Sequence, residues 1–355
     1  VNSKKNNICR TGVLMSAREQ TLPLPQQTVH VIDCRWLLAL YLVIPLSLLV
    51  VFTDAWLFEG RMVYQRIPTQ PEDWPFWTVI FGLPHIIASL ITMADREYLN
   101  HYRRSLLWPM LLFAGIASAG YLGPQPVSYN LLFVFLGFYT IYHVLAQQLG
   151  LTLMMMGVPP CRSYRLWKWL SIIAGMAIYM NVYGERCLGN IWLGDVSLYT
   201  LLTYSAALIG AALVVLAIRL TPRSRHRIGV WYLWGNVALI LSTLLIQEVG
   251  YALFVILIPR IIHDVTAYMV YVTHDRNRNG EAPVNGLYQL ASFTRLSPVV
   301  LLPLMSVGIA YVLTSCQHYV LVSILVLTVS FLHYYFEGFI WRGGNPHRRY
   351  VTFRR

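Results

Sequence analysis

Phe331–Arg342 reads FLHYYFEGFIWR and closes an apolar run that begins at Tyr319. On a helix, His333 and Glu337 are four residues apart and stand one above the other on a single face. A neutral imidazole and a carboxylate one turn apart make a two-ligand clip for a transition metal. Neither group belongs at bilayer depth without a partner. The stretch therefore carries a membrane-span signal and a candidate ligand pair together.

Composition supports the membrane reading. The 355 residues are 57% apolar and only 12% charged, and a soluble domain of this size would carry roughly twice that charged fraction. The formal net charge of +12 would suit nucleic acid only if the basic residues clustered on one folded face. Here they lie between apolar runs, so no nucleic-acid partner is expected and the lipid bilayer is the partner instead. The first 35 residues are polar and basic, and the first apolar run is followed by no small-residue cleavage site, so no signal peptide is expected to be removed.

Ten runs approach or exceed the ~20 residues that cross a bilayer: 36–56, 76–94, 106–122, 128–152, 166–184, 197–218, 229–247, 250–272, 296–315 and 318–340. Alternating these spans from a cytoplasmic N-terminus leaves only Arg61, Arg66 and Arg186 outside and Arg260 within a span. Every other Lys and Arg of the 27 falls inside. A wrong number of spans would scramble this asymmetry. The expected fold is an all-α polytopic integral membrane protein of about ten helices, with both termini in the cytoplasm of a bacterium and the helices in its inner membrane. Residues 1–35 form a cytoplasmic tail, 36–340 a single transmembrane domain, and 341–355 a basic cytoplasmic tail.

Of five cysteines, Cys9, Cys34 and Cys161 fall inside and should stay reduced. Cys187 and Cys316 fall in outside loops, where they either form a disulfide or remain two separate thiols. No cysteine spacing suits a zinc ribbon or an iron–sulfur centre.

His85, His143, His263 and His333 lie within predicted spans, each running from outside to inside. His85, His263 and His333 precede the inner charged boundary by nine to eleven residues, about 14–17 Å at 1.5 Å per residue. His143 is compatible with the same level. Four histidines from four helices at one depth can converge on one point. With Glu337 they form the expected ligand set, whereas a single intramembrane His is as readily a hydrogen-bonded packing residue. Gln147, Tyr268 and Tyr334 are expected around the ligands, with Tyr142, Tyr271 and Tyr335 as further candidates. Arg260 and Asp264, at i and i+4, are read as an internal ion pair, the alternative being that Arg260 holds an anionic head group. Adjacent helical residues point about 100° apart, so His263 and Asp264 are not expected to share an ion. His274 is read as a juxtamembrane residue in preference to a ligand of a second centre.

Imidazole with carboxylate and no thiolate points to non-haem iron, with manganese or zinc as alternatives. HExxH clips are absent, and no second helix repeats the His263/His274 spacing as paired haem levels would require. A non-haem iron centre among Tyr, Trp and Met suits oxygen chemistry on a lipid-soluble substrate. Leu153–Val158 and Phe133–Tyr142 are candidate tunnel walls, although such stripes more often serve packing. An electron donor or a larger membrane complex is a possible partner. The competing classes are a proton or cation relay and a non-catalytic subunit with a structural polar core.

The blocks GLPH at Gly82–His85, YHxxxQQxG at Tyr142–Gly150, HD at His263–Asp264, THDRNRN at Thr273–Asn279 and HYYFEGFIWR at His333–Arg342 resemble those of a family of uncharacterised bacterial multi-pass membrane proteins, with WHxxRQxYG-like and HYxxDxFIWK-like blocks. This chain departs from the pattern at Ala146, where Arg is expected, and at Glu337, where Asp is expected. GLPH is also similar to a motif of the bacterial membrane-bound carotene dioxygenases, whose intramembrane histidines hold iron. That resemblance implies His85 as a ligand, and iron acting on a lipid-soluble substrate.

Overall fold

The computed structural model describes residues 30–67 and 82–355, apart from the side chains of residues 185–187. Within them the chain is a helical bundle. Its principal helices are α1 (Cys34–Leu57, with a 3-10 turn at Leu40–Leu42), α2 (Leu83–Met93), α3 (Arg96–Leu122), α4 (Val127–Met156), α5 (Arg162–Leu188), α6 (Leu198–Leu220), α7 (Arg227–Glu248) and α8 (Ala252–Asn279). The short α9 (Gly286–Leu290) then leads to α10 (Pro298–Ser315) and α11 (Val320–Ile340). Among the described residues, eight helices are long and apolar enough to cross a membrane. Each of the ten expected spans falls on a helix, but two are not among those eight. They are α5 and the short α2, and residues 76–81 of the expected second span lie outside the described residues.

Large apolar side chains cover the outside of the bundle. Trp108, Leu208 and Leu321 are each more than 70% exposed. A water-soluble monomer rarely presents apolar surface on this scale; in lipid it is the ordinary outer face of a span. Local sequence sets the helix ends. The Asp95 carboxylate accepts from the Glu97 amide (2.8 Å) to start α3, Ser197 accepts from Thr200 to start α6, and Gly157 in the left-handed region (φ 67°) ends α4.

Helix α8 is the axle of the bundle, packing against α1, α2, α4, α7 and α10. Four helices close a ring around the future site: α2 meets α8, α8 meets α4, α4 meets α11, and α11 returns to α2. Helices α5 and α7 buttress α4 on one flank, with α6 packed behind them, while α3 packs along α11 and α10 along α2 on the other.

The two ends of the described chain meet. Strand β1 (Val31–Asp33) pairs in parallel with the C-terminal strand Thr352–Arg354, and both lie at the same end of the bundle. A small hairpin, Trp192–Leu193 with Val196–Ser197, forms between α5 and α6. The basic segment after α11 packs back on the bundle, with His347 and Val351 buried.

The THDRNRN block is what ties these ends down. The Asn277 carboxamide accepts from the His30 amide (2.7 Å) and donates to the His30 and Tyr350 carbonyls (2.9 and 2.8 Å). Arg278 pairs with Asp95 (2.8 Å) and Glu97 (2.9 Å), and Asn279 accepts from the Val284 and Asn285 amides (3.0 Å each).

Candidate metal centre

The four intramembrane histidines come together, one from each helix of the ring. His85 on α2, His263 on α8, His143 on α4 and His333 on α11 follow one another around a square of imidazoles. Adjacent ring centroids are 5.3, 4.8, 4.9 and 5.0 Å apart, and adjacent rings stand at 66–90° to one another. The expected common depth is thus met, including for His143. His85, His263 and His333 are fully buried, and His143 and Glu337 nearly so.

Donor atoms point inward. One potential ligand atom each from His85, His143 and His263 lie within 4.8 Å of one another, as do those of His143, His333 and Glu337. Two atoms bound in trans to one ion at ~2.1 Å stand ~4.2 Å apart, so both triads are close to a bonding span. Among the described residues no hydrogen bond satisfies His143 Nε2, His333 Nε2 or either nitrogen of His263. A buried polar atom without a partner costs about 1–3 kcal/mol, and several converging on one point form a site that a cation would relieve. These buried His and Glu groups could hold a metal ion.

The surrounding bonds aim the ligands. Ser89 lies one turn after His85 and donates its only hydroxyl proton to the Ile86 carbonyl (2.6 Å). Its oxygen therefore accepts from His333 Nδ1, 2.7 Å away, which places the His333 proton on Nδ1 and turns a bare Nε2 lone pair toward the other rings. Glu337 accepts from Gln147 Nε2 (2.8 Å) and from the Tyr271 hydroxyl. Its Oε2 stands 3.3 Å from His143 Nε2 and 3.7 Å from His333 Nε2. Tyr334 stacks on His143 with centroids 4.5 Å apart, and its hydroxyl accepts from Thr140 (3.2 Å).

Arg260 and Asp264 form the expected ion pair at 3.6 Å (Nε to Oδ2). The Asp264 Oδ1 lies 3.3 Å from His85 Nδ1 and 3.8 Å from His263 Nε2, and neither ligand triad includes Asp264.

Other expected members lie elsewhere. Tyr268 hydrogen-bonds Ser306 of α10 (2.8 Å) and faces away from the imidazoles. Tyr142 stacks on Trp169 (6.0 Å), and Tyr335 packs near Phe339 (5.4 Å). His274 is fully buried, bonded through Nε2 to Tyr98 and through Nδ1 to Asp275 (2.8 Å each). His347 has no expected role from the sequence, yet it stacks between Tyr98 (3.7 Å) and His274 (5.2 Å). Burial, with His274, Arg278 and His101 nearby, pushes its pKa down to about 2, so the ring is neutral. Cys316 has no disulfide partner among the described residues, and the side chain of Cys187 lies outside them.

Two cavities flank the square. One of about 490 Å³ reaches His143, Gln147 and Glu337 from the end of the bundle where the chain ends meet, and Arg342, Val351 and Phe353 line it there. The other, about 330 Å³, lies on the opposite side and reaches Arg260, with Gln317 and Tyr121 along it. Tyr334 borders both. Of the two candidate tunnel walls, Met154 and Tyr142 line the first cavity and Phe133 the second, while Met155 and Met156 are core residues.

No protein-family profile, curated protein or solved structure matches this chain. Its site is read from its own geometry.

Proposed function

We propose that the chain is a membrane-embedded non-haem iron enzyme that carries out oxygen-dependent oxidation or cleavage of a hydrophobic, lipid-soluble substrate. His85, His143, His263, His333 and Glu337 hold one ion. The carrying observation is the square of four imidazoles, with nitrogens of His143, His263 and His333 left without a hydrogen bond among the described residues, beside a cavity large enough for a ligand and walled partly by the ligands themselves. Imidazole and carboxylate donors without thiolate favour iron over softer-site metals, with manganese and zinc next. A haem macrocycle is far wider than the 4.8–5.3 Å between adjacent rings, which argues against it.

Iron in such a site would bind and activate dioxygen. The chain's own groups do the rest. Ser89 fixes the His333 tautomer, Tyr271 and Gln147 hold the Glu337 carboxylate in one orientation, and Tyr334 packs the His143 ring. The bundle interior excludes bulk water. Cleavage of a substrate double bond, with one oxygen atom going to each carbonyl product, balances without an external reductant. A hydroxylation would draw two electrons from a donor protein. The setting proposed is a bacterial inner membrane, ten spans, and both termini cytoplasmic. The parallel pairing of the two chain ends and the one-sided distribution of Lys and Arg support that setting.

A second reading, a cation or proton relay, is favoured by the cavities on opposite sides of the square that share Tyr334.

Metal analysis by mass spectrometry on detergent-purified protein separates the two. Wild type is compared with His333→Ala, Glu337→Ala and, as a control in the turn between α10 and α11, His318→Ala. The enzyme reading expects near-stoichiometric iron that is lost in the first two variants and kept in the third, with oxygen uptake on lipid extracts. Reconstituted wild type without metal refutes it. Metal-free protein that dissipates a proton gradient in vesicles establishes the relay.

A further inference from the structure

The guanidinium of Arg260 lies where a membrane protein keeps few charges, and a cavity opens onto it. This is the smaller of the two cavities, about 330 Å³, within the size range of ligand pockets. Val326, Ser330 and Tyr334 line it along one face of α11, a run of about 12 Å at helical rise. Phe133 and Leu136 of α4 and Ile86 of α2 supply apolar walls. Among the described residues that line it, Arg260 is the only charged one. A charged side chain within a span that faces a cavity marks a candidate ligand site.

Arg260 is incompletely used by its own ion pair. Its Nε is buried without a hydrogen bond and stands 3.6 Å from Asp264 Oδ2, beyond the ~3.2 Å limit of an ordinary N–H···O bond. Both Asp264 oxygens are likewise buried without a hydrogen bond among the described residues. A guanidinium carries five N–H donors in a planar fork that matches a carboxylate. The pair with Asp264 therefore leaves donors for a second acceptor. Asp264 Oδ1 in turn stands 3.3 Å from His85 Nδ1, so a group bound to Arg260 is one side chain away from the imidazole square.

We infer that this cavity binds a medium-chain monocarboxylic acid, with its carboxylate on the Arg260 fork and its chain lying along α11 toward Gln317 and Tyr121. Charge-assisted hydrogen bonds from a guanidinium are about twice as strong as neutral ones, which favours the acid over a ligand with a neutral oxygen. The apolar walls fit the chain. That chain points away from the imidazoles, so the acid is a second ligand, distinct from a substrate held in the larger cavity. Charge balance adds support that rests on the metal reading above. Arg260 and a divalent ion outweigh Asp264 and Glu337 by one charge, and one further carboxylate would neutralise it in a medium where unbalanced charge is costly.

The test uses the purified full-length protein in nanodiscs of neutral lipid and measures binding of tritiated decanoate above that of empty discs. Methyl decanoate is the competitor. Decanoate should bind saturably, and the ester should compete at least about tenfold more weakly than unlabelled acid, the loss expected when a charge-assisted contact is removed. Arg260→Gln/Asp264→Asn removes both charges together, so that neither is left buried alone. It should weaken the acid by a similar factor and leave the ester unchanged. Ser330→Leu adds bulk in the cavity without altering a charge, and it should weaken both. The comparison of acid with ester in wild type needs no variant, so a variant that fails to fold leaves the inference open to refutation. Absence of saturable binding, equal competition by acid and ester, or undiminished acid binding in either folded variant overturns it. Metal content measured on the same samples keeps the two readings apart. Metal present without acid binding sinks this inference alone, and acid binding without metal sinks the iron reading alone.

Discussion

Replacing Ser89 with alanine isolates the support of one ligand from the ligand itself. Ser89 lines neither cavity and sits in a helix that tolerates alanine well. Its hydroxyl accepts the His333 Nδ1 proton at 2.7 Å while donating to the Ile86 carbonyl at 2.6 Å. In Ser89→Ala the Nδ1–H is left buried without an acceptor, a loss of about 1–3 kcal/mol. The imidazole is then free to turn over or to move its proton to Nε2, and either change removes the lone pair aimed at the centre. Loss of such a supporting bond typically costs about 10–100-fold in metal affinity. The assay is competition for Fe(II) against a chelator of known affinity, with the melting temperature recorded on the same preparations. Ser89→Thr keeps the hydroxyl and should restore most of the affinity. Thr92→Val, one turn further along α2, removes a bond to Asp275 (3.1 Å) outside the square, so it should lower stability while leaving metal affinity unchanged. Iron affinity in Ser89→Ala within about threefold of wild type, less than ~0.7 kcal/mol, would refute the derivation of the His333 tautomer.

Two further outcomes follow from packing and from linkage. A Cβ on Gly229 would lie 2.5–2.7 Å from backbone atoms of Met155 and Met156, so Gly229→Ala must push α7 off α4. It should lower the melting temperature and yield by the equivalent of about 1–3 kcal/mol or more, whereas Gly308→Ala, with open space around it, should be neutral or slightly stabilising. His347 is held neutral, with a pKa near 2 set first by burial and then by His274, Arg278 and His101, and Tyr98, Tyr102 and Trp341 pack around it. Because the unfolded ring titrates near 6.5, the unfolded state binds the extra proton between these values. Stability is therefore fully present above about pH 7 and is lost as pH falls, by about 2 kcal/mol at pH 5. His347→Phe should flatten the dependence of melting temperature on pH between 7 and 5, and an unchanged slope would contradict the assignment.

Much of the architecture was legible from the sequence because a bilayer leaves the chain few choices. Backbone groups in hydrocarbon must be satisfied within the segment, so long apolar runs become helices wherever they occur. The level of the histidines was legible for the same reason. Helical rise is constant, so counting residues to the charged boundary measures depth, and His85, His143, His263 and His333 do meet. The pair His333 and Glu337 was visible as an i, i+4 clip, and Arg260 with Asp264 likewise.

What the sequence could not decide was rotation about each helix axis and the reach of each side chain. Tyr268 and Tyr271 are a turn apart on α8, yet one turns to Ser306 and the other to Glu337. Asp264 faces His85 of α2 at 3.3 Å, a neighbour that spacing along α8 does not name. Ser89 gave a faint signal, one turn from His85, and its partner proved to be His333, 244 positions away. His347 reads as part of a basic tail and is buried because that tail folds back to pair with the first strand. The sequence by itself determined which segments are helices and at what depth their polar groups sit, since these depend on local hydrogen bonding and transfer from water. Only the tertiary structure decided which groups face one another and where the cavity opens, since these depend on how the α2, α4, α8 and α11 surfaces interlock, a property that no single segment contains.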